Sequence, residues 1–535
     1  SDPAIDSNGI KLTSRQIHEK NEPITLSGRW TEGGLSFSFN LPELQLVSGN
    51  TSVSIPLITL TGKAGLNQDN ETAPAWSTEF TLKAKKADIQ TQTFSSGVDL
   101  MLSGHALSRN GSSYQATGSI TAADGFFSSP GTELYLNGIH GNIPLQWPYA
   151  SDDQCGSLAI ESMTLKKGEL GTISTHICQT KTGAVYNGSH KSSLLPGTTL
   201  DFSGHADFSL KEGLSADLHF AMPQTRSPVT GLAELFPEAR GVNIGGLFAI
   251  EGDISFAAGD TTSSLKVDVK DAKAEVTENQ TVIEGIDLSL LMTDLVQLES
   301  APSTITYQKA SFGGARLSNG RIDFKIESPD RLLIERNRFQ WCGGTVSTHA
   351  TRFSTDRSDY NIVLFCDRLN LAEILEQFGI ENAEGDGTVN GRIPVFYENG
   401  QIRFEDAFLY STPGVEGTIR IPGTDYLKAG LPPGSPQYSQ LDFAGEALKD
   451  FKYSWVKLAL LTEGENAVLK MRLNGKSTEP IPFRYERSLG YFKRLEAGSK
   501  GGIHQSILLD VNFRLPLNEL LGYGEKIQTL FDRMQ

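Results

Sequence analysis

GDGTVNGRIPVFYENGQIRFEDAFLYSTPGVEG, residues Gly385 to Gly417, is written in a two-residue rhythm broken by turn glycines. Ile402 and Phe404 alternate with Arg403 and Glu405, and Val395 follows Ile393 across Pro394. A period of two sends successive side chains to opposite faces of a strand, so each strand here has one oily face and one charged face. Glu398-Asn399-Gly400 supplies the positive backbone angles a tight reversal needs and predicts a hairpin. The stretch offers no nucleophile, base or metal cluster. What it builds is a surface.

The same grammar extends outward to both ends of the chain. Leu35, Phe37, Phe39 and Leu41 alternate with Ser36, Ser38 and Asn40. Phe202, Gly204, Ala206 and Phe208 do so with Ser203, His205 and Asp207, and Leu214, Ala216, Leu218 and Phe220 answer across Lys211-Glu212-Gly213. Ile322, Phe324 and Ile326 precede a turn at Ser328-Pro329-Asp330. Near the end Leu469, Met471 and Leu473 alternate with Lys470, Arg472 and Asn474, and Val511 and Phe513 with Asn512 and Arg514. Roughly 25 to 30 such runs can be marked, whereas a sandwich closes after seven to nine strands. The expectation is an all-β fold, a long antiparallel sheet rolled into an open apolar groove with a few short helices. Leu35, Phe37, Phe39, Phe202, Phe208, Leu218 and Phe220 would line it in the first half. Phe324, Ile326, Ile402, Phe404, Leu469, Met471, Leu473, Val511 and Phe513 would do so in the second.

No Pro/Ser-rich spacer or charge block divides the 535 residues, and the 54 glycines are scattered as in many short turns. Short helices recur at Gly231–Phe236, Asn370–Leu375 and Pro516–Leu521, each with a Leu-x-Glu-(Leu/Ile) core. Their intervals of about 140 residues suggest repeated units. The expected division is 1–230 for the N-terminal part of the groove, 231–300 for a connecting unit and 301–535 for the C-terminal part. The helix from Leu371, with Ile374, Leu375 and Phe378 on one stripe, reads as a plug for the end of a sheet layer.

The formal net charge of −16 argues against a nucleic-acid partner. No run of 18 apolar residues is present, so no helix of this sequence is expected to cross a bilayer. His105 and His205, in matched Ser-Gly-His-Ala contexts, fall on the polar side of their strands and read as solvated residues. The cysteines form two pairs of similar spacing, Cys155 with Cys178 and Cys342 with Cys366. If oxidised, each would close a loop worth about 3 kcal/mol, which favours an oxidising compartment. Reduced thiols in strands are the alternative, Cys366 in Val363-Leu364-Phe365-Cys366 being a candidate. Neither pair has the short spacing of a zinc knuckle, and no metal or cofactor is expected.

The run Glu384 to Val395, with Asn399-Gly400-Gln401-Ile402 and Thr412-Pro413-Gly414-Val415-Glu416-Gly417-Thr418-Ile419, resembles the C-terminal domain of YdbH-type proteins. These are AsmA-like intermembrane phospholipid transporters of Gram-negative bacteria. Glu446 to Tyr453 and Ile507 to Leu515 continue the likeness, which is best from about 300 to 535. The resemblance implies a non-enzymatic groove that shelters phospholipid acyl chains across the periplasm. It also implies an inner-membrane anchor through an N-terminal helix outside this sequence, and a small outer-membrane lipoprotein as partner. An older dicarboxylate label for the domain finds no inward row of Arg or Lys to support it, and a dianion would sit poorly on Phe, Leu and Ile faces. The rival class is an extracellular β-rich adhesion or glycan-binding scaffold, which calls for exposed aromatic platforms and acidic calcium loops. Gly385-Asp386-Gly387 has too few carboxylates for such a loop.

Overall fold

The computed structural model describes residues 11–13 and 24–516, apart from 32–33, 68–74, 110–112, 150–153, 210–212, 258–259, 278–280, 313–314, 378–379, 381, 399–400, 423–427, 429–430 and 497–500. The fold is all-β, with an open 31-stranded antiparallel sheet, one separate small hairpin and three short α-helices among the described residues. By contacts it divides into two compact units, residues 1–240 with 247–266 and residues 241–246 with 267–535.

In the first unit the strands are β1 (Lys11–Thr13), β2 (Thr25–Thr31), β3 (Gly34–Ser48), β4 (Thr51–Asn67), β5 (Ala75–Gln90), β6 (Ser95–Arg109) and β7 (Ser113–Ser129). They continue as β8 (Leu134–Trp147), β9 (Cys155–Leu165), β10 (Gly168–Gln179), β11 (Gly183–Ser192), β12 (Thr199–Ser209) and β13 (Gly213–Val229). From β3 to β13 each strand pairs antiparallel with the next. The register carries one face across the sheet without interruption. Gly28 lies opposite Phe37, Phe37 opposite Gly62, Gly62 opposite Phe80, Phe80 opposite Gly104 and Gly104 opposite Gly118. Alternation of apolar and small polar residues therefore becomes an apolar wall backed by a polar one.

A column of bulges creases this sheet. In β3–β4 the register is still unbroken, with Pro42 opposite Leu57 and Leu44 opposite Ile55, although Glu43 already stands at φ 55°. Two strand pairs further, the β5–β6 ladder skips from Ala84–Leu100 to Ala87–Val98, with Lys86 at φ 51°. Next, β6–β7 skips between Asp99–Ala123 and Gly97–Phe126, with Asp124 at φ 49°. An extra residue bends its strand and increases its twist, and aligned bulges bend all the strands along one line. The backbone N–H of Lys86 donates to Asp99 Oδ1 at 2.7 Å, so the surplus donor is satisfied. Asp271 to Asp287 at 2.8 Å and Arg368 to Asn390 at 2.8 Å repeat the device in the second unit.

Helix α1 (Leu232–Leu235) is a single turn whose Leu235 is buried. In the second unit α2 (Leu371–Gln377) buries Leu371, Ala372, Ile374 and Leu375 against the sheet, as its stripe predicts. The third anticipated helix begins where strand Ile507–Pro516 ends, and its remaining residues, like Phe378 and the turn Asn399-Gly400, lie outside the described residues. Helix α3 (Pro436–Leu448) went unread in the sequence, although its start is signalled by Ser435, which caps Tyr438 N–H, and by Pro436 in the first turn. Pro394 in strand Thr388–Glu398 falls between two short neighbours, Ala407–Ser411 pairing up to Arg392 and Gln401–Phe404 from Val395, so its missing N–H costs no bond.

Candidate functional site

The apolar wall of the first unit is made of residues that strand alternation brings to one side. Trp76, Thr78, Phe80, Leu82 and Ala84 run down β5, and Tyr114, Ala116, Gly118, Ile120 and Ala122 run along β7 beside them. No Asp, Glu, Lys or Arg lies on this face between the rim and the crease from β2 to β8. Leu35, Phe37, Phe39, Phe202, Leu218 and Phe220 are all half-buried, whereas Ser203, His205 and His219 on the opposite face are exposed. Phe208 occupies the register position opposite Leu214. The fully buried apolar residues of this unit are Ala87, Met222, Leu235 and Phe248 among the described residues, so no second layer seals the wall.

Glycine keeps the wall smooth. A Cβ at Gly62 would stand 2.4 Å from Phe37 Cζ, and one at Gly188 would stand 2.6 Å from Phe202 Cζ. Each ring lies down over the glycine of the next strand, an arrangement in which the aromatic covers backbone that has no side chain of its own. Tyr186 does the same over Gly204 and its hydroxyl donates to the Asp217 carbonyl. Burial, and then the Asp217 carboxylate, hold the Tyr186 phenol above its usual pKa. His190, at a position of β11 opposite Ile173 and Leu200, has its pKa lowered by burial, against the raising effect of its hydrogen bond with the Thr172 carbonyl at 3.1 Å. The wall is therefore uncharged near pH 7. Behind it, the polar face carries a shallow depression of about 730 Å³ over Ser36, Lys63, Glu79, Ser103, His105 and Thr117.

One rim of this wall is lined with large exposed side chains that the sequence reading passed over. Trp30 is 64% exposed, Trp76 43%, Tyr114 64% and Trp147 68%. Leu66 pairs with Trp76, Ser108 with both Trp76 and Tyr114, and Trp147 with Ala116, which puts them at one end of successive strands and on the apolar side. At the same end, Cys155 opens β9 opposite Cys178 in β10, and the two form a disulfide across a Cα–Cα distance of 4.0 Å. The signal for the rim was in the sequence: aromatic residues at or one step inside strand ends, in phase with the wall.

The second unit treats its candidates differently. Phe324, Ile326, Ile402 and Phe404 are half-buried. Leu469 (2% exposed), Met471 and Leu473 (0%), Val511 and Phe513 are instead members of a closed core with α2, α3 and the strands between them. Their alternation was read correctly as one apolar face, but helices cover that face here, and the five pack against one another instead of lining an open wall. The expectation of a second disulfide is also corrected. Cys342 and Cys366 are buried free thiols, Cys342 held at φ 46° in a turn and Cys366 opposite Val346 in the sheet. Burial pushes the Cys366 thiol up to about 12 and raises Cys342 as well, so neither is a ready nucleophile.

Among the described residues no His, Cys, Asp and Glu side chains gather in a group able to hold a metal ion, and no helix is long and apolar enough to cross a membrane. The arrangement offers an apolar surface to lie against. Compared with known protein families, residues 6–480 match the one described as YdbH-like, intermembrane phospholipid transport protein YdbH. No curated protein matches the chain.

Proposed function

Because this chain belongs to the YdbH-like family of intermembrane phospholipid transport proteins, we propose that it is a non-enzymatic conduit carrying phospholipid between the inner and outer membranes of a Gram-negative cell. The observation that carries the reading is the charge-free, half-buried wall of the first unit, with Leu35, Phe37, Phe39, Phe202, Leu218 and Phe220 on it. In the second unit, taken by itself, Phe324, Ile326, Ile402 and Phe404 are the proposed lining, all half-buried, with Phe404 also packing against the closed core. Each methylene moved out of water gains about 0.8 kcal/mol, so two acyl chains crossing water unshielded meet a barrier on the order of 20 kcal/mol. An apolar wall removes most of that barrier, and it does so for movement either way. The protein supplies a path, and direction comes from elsewhere. The family further suggests a periplasmic location, an inner-membrane anchor beyond this sequence and a small outer-membrane lipoprotein as partner. The Cys155–Cys178 disulfide suits that oxidising compartment.

The test is to purify the protein, extract it with organic solvent and analyse the extract by mass spectrometry, then measure transfer of labelled phospholipid between donor and acceptor vesicles. Phospholipid is expected in the extract, and Phe80→Asp together with Phe220→Asp, each placing a charge on the wall, should lower both the load and the transfer rate. A protein that carries no phospholipid and leaves the transfer rate unchanged removes the reading.

A further inference from the structure

The rim described above has a composition distinct from the wall beneath it. Three of the chain's five tryptophans, Trp30, Trp76 and Trp147, stand there with Tyr114, while the positions below them on the same face are Gly28, Thr78, Leu145 and Ala116. Trp and Tyr join an apolar ring to a polar N–H or O–H, and they collect where hydrocarbon meets the polar layer of a membrane. An arrangement with Trp and Tyr at the mouth and, apart from Thr78, only aliphatic, Phe and Gly side chains further in among the described residues of β2 to β8 is the depth profile of half a bilayer. The wall is longer than one leaflet's hydrocarbon layer, so it has room for an acyl chain along its whole length. At about 3.4 Å per residue, the wall from Trp76 down to Ala84 is roughly 27 Å long, against about 15 Å for half of a 30 Å hydrocarbon core.

Resting on the function proposed above, we infer that the rim of Trp30, Trp76, Tyr114 and Trp147 is the headgroup-level lip of the groove, where the ester and phosphate layer of each phospholipid sits while its acyl chains point toward the crease. The lip then sets the orientation of the cargo: the headgroup stays at one edge, and every lipid enters and leaves with the same end outward. A sugar platform would need hydrogen-bonding side chains beside the rings, and among the described residues the rim supplies on this face only Thr78 and Ser108.

The experiment uses the full chain, loaded with spin-labelled phosphatidylcholine and separated from vesicles by flotation, and reads tryptophan emission. One lipid carries its label on the headgroup and the other deep in the acyl chain. The lip signal is the difference between the native chain and a variant with Trp30→Phe, Trp76→Phe and Trp147→Phe. The wall signal comes from adding Phe80→Trp to that variant. If the lip is at headgroup level, its emission falls further with the headgroup label, and the wall reporter falls further with the deep label. Equal quenching of both reporters by both lipids, or a lip quenched more by the deep label, overturns the inference while leaving the conduit standing. Loss of emission in neither reporter with either lipid removes the conduit and the lip together. A lip signal moved by soluble oligosaccharide and by no lipid overturns both in favour of a glycan surface.

Discussion

Asp442 is a carboxylate held on three sides. Lys428 Nζ reaches its Oδ1 at 2.7 Å, and Arg494 donates to both of its oxygens at 2.9 and 3.0 Å while also reaching Glu446 at 2.9 Å. Burial raises its pKa, but the bonds from Arg494 and Lys428 outweigh that and hold it below the ordinary Asp value. The stabilisation is therefore full above about pH 4 and is lost as pH falls through the lower, folded value. Asp442→Ala, which leaves two cations facing each other near a buried site, should cost about 3 kcal/mol at neutral pH, read by denaturant unfolding. The difference from the native chain should vanish in acid. His190 gives the second pH prediction. Its folded pKa is depressed, so its contribution is present above about pH 6.5 and is lost as pH falls through the folded value, when a charge appears on the wall. Bound phospholipid should fall off across that range in the native chain and not in His190→Gln. The cysteines give a third: a thiol reagent applied to the native, non-reduced protein should label nothing, and after denaturation it should label Cys342 and Cys366 alone.

At the scale of strands and helices, the sequence carried the wall well and its covering poorly. Alternation in Phe202–Ala206 and Leu214–Phe220 specifies a strand and its inward face because a one-residue slip would reverse every side chain. The same alternation in Leu469–Leu473 and Val511–Phe513 cannot say whether a helix will lie on top. That is decided by α3, which sits remote in sequence and places Phe443 in stacking contact with Phe492 at 4.2 Å. Bulges were illegible for a related reason: Lys86 and Asp124 look like ordinary polar positions until their neighbours' register is known. The glycines opposite aromatic residues make a prediction of their own. At Gly62 a Cβ would meet both Phe37 Cζ at 2.4 Å and the Glu79 carbonyl oxygen at 2.6 Å, and the backbone oxygen cannot rotate away. Gly62→Val should lift the Phe37 ring off the wall and cost about 1 to 3 kcal/mol. Thermal unfolding measures the cost, and the amount of co-purified phospholipid should fall with it.

For the molecule as a whole, the candidate site has no single indispensable residue, which is why motif reading stopped at a family resemblance while composition and period reached the groove. Of the residues proposed as lining, six in the first unit and Phe324, Ile326, Ile402 and Phe404 in the second are half-buried, and the five nearest the C-terminus pack into a closed core. The lip was invisible to alternation because it differs from the wall in kind of apolar residue, not in phase. A distributed site also means graded failure: single wall substitutions such as Leu218→Ala should slow vesicle-to-vesicle transfer slightly, whereas several in one row of the ladder should act together.

The uninterrupted neighbour-to-neighbour ladder from β3 to β13 has one more consequence, for size. Leu82 in β5 faces Leu102, Leu102 faces Ile120, and Ile120 faces Ile143 in β8. Excising β6 and β7 as a pair would bring Leu82 against Ile143, aliphatic to aliphatic, with the chain still returning at the same edge. Such proteins can be shortened or extended by whole hairpins, about 9.6 Å at a time, so that evolution can trim or lengthen the ruler without redesigning any of its divisions.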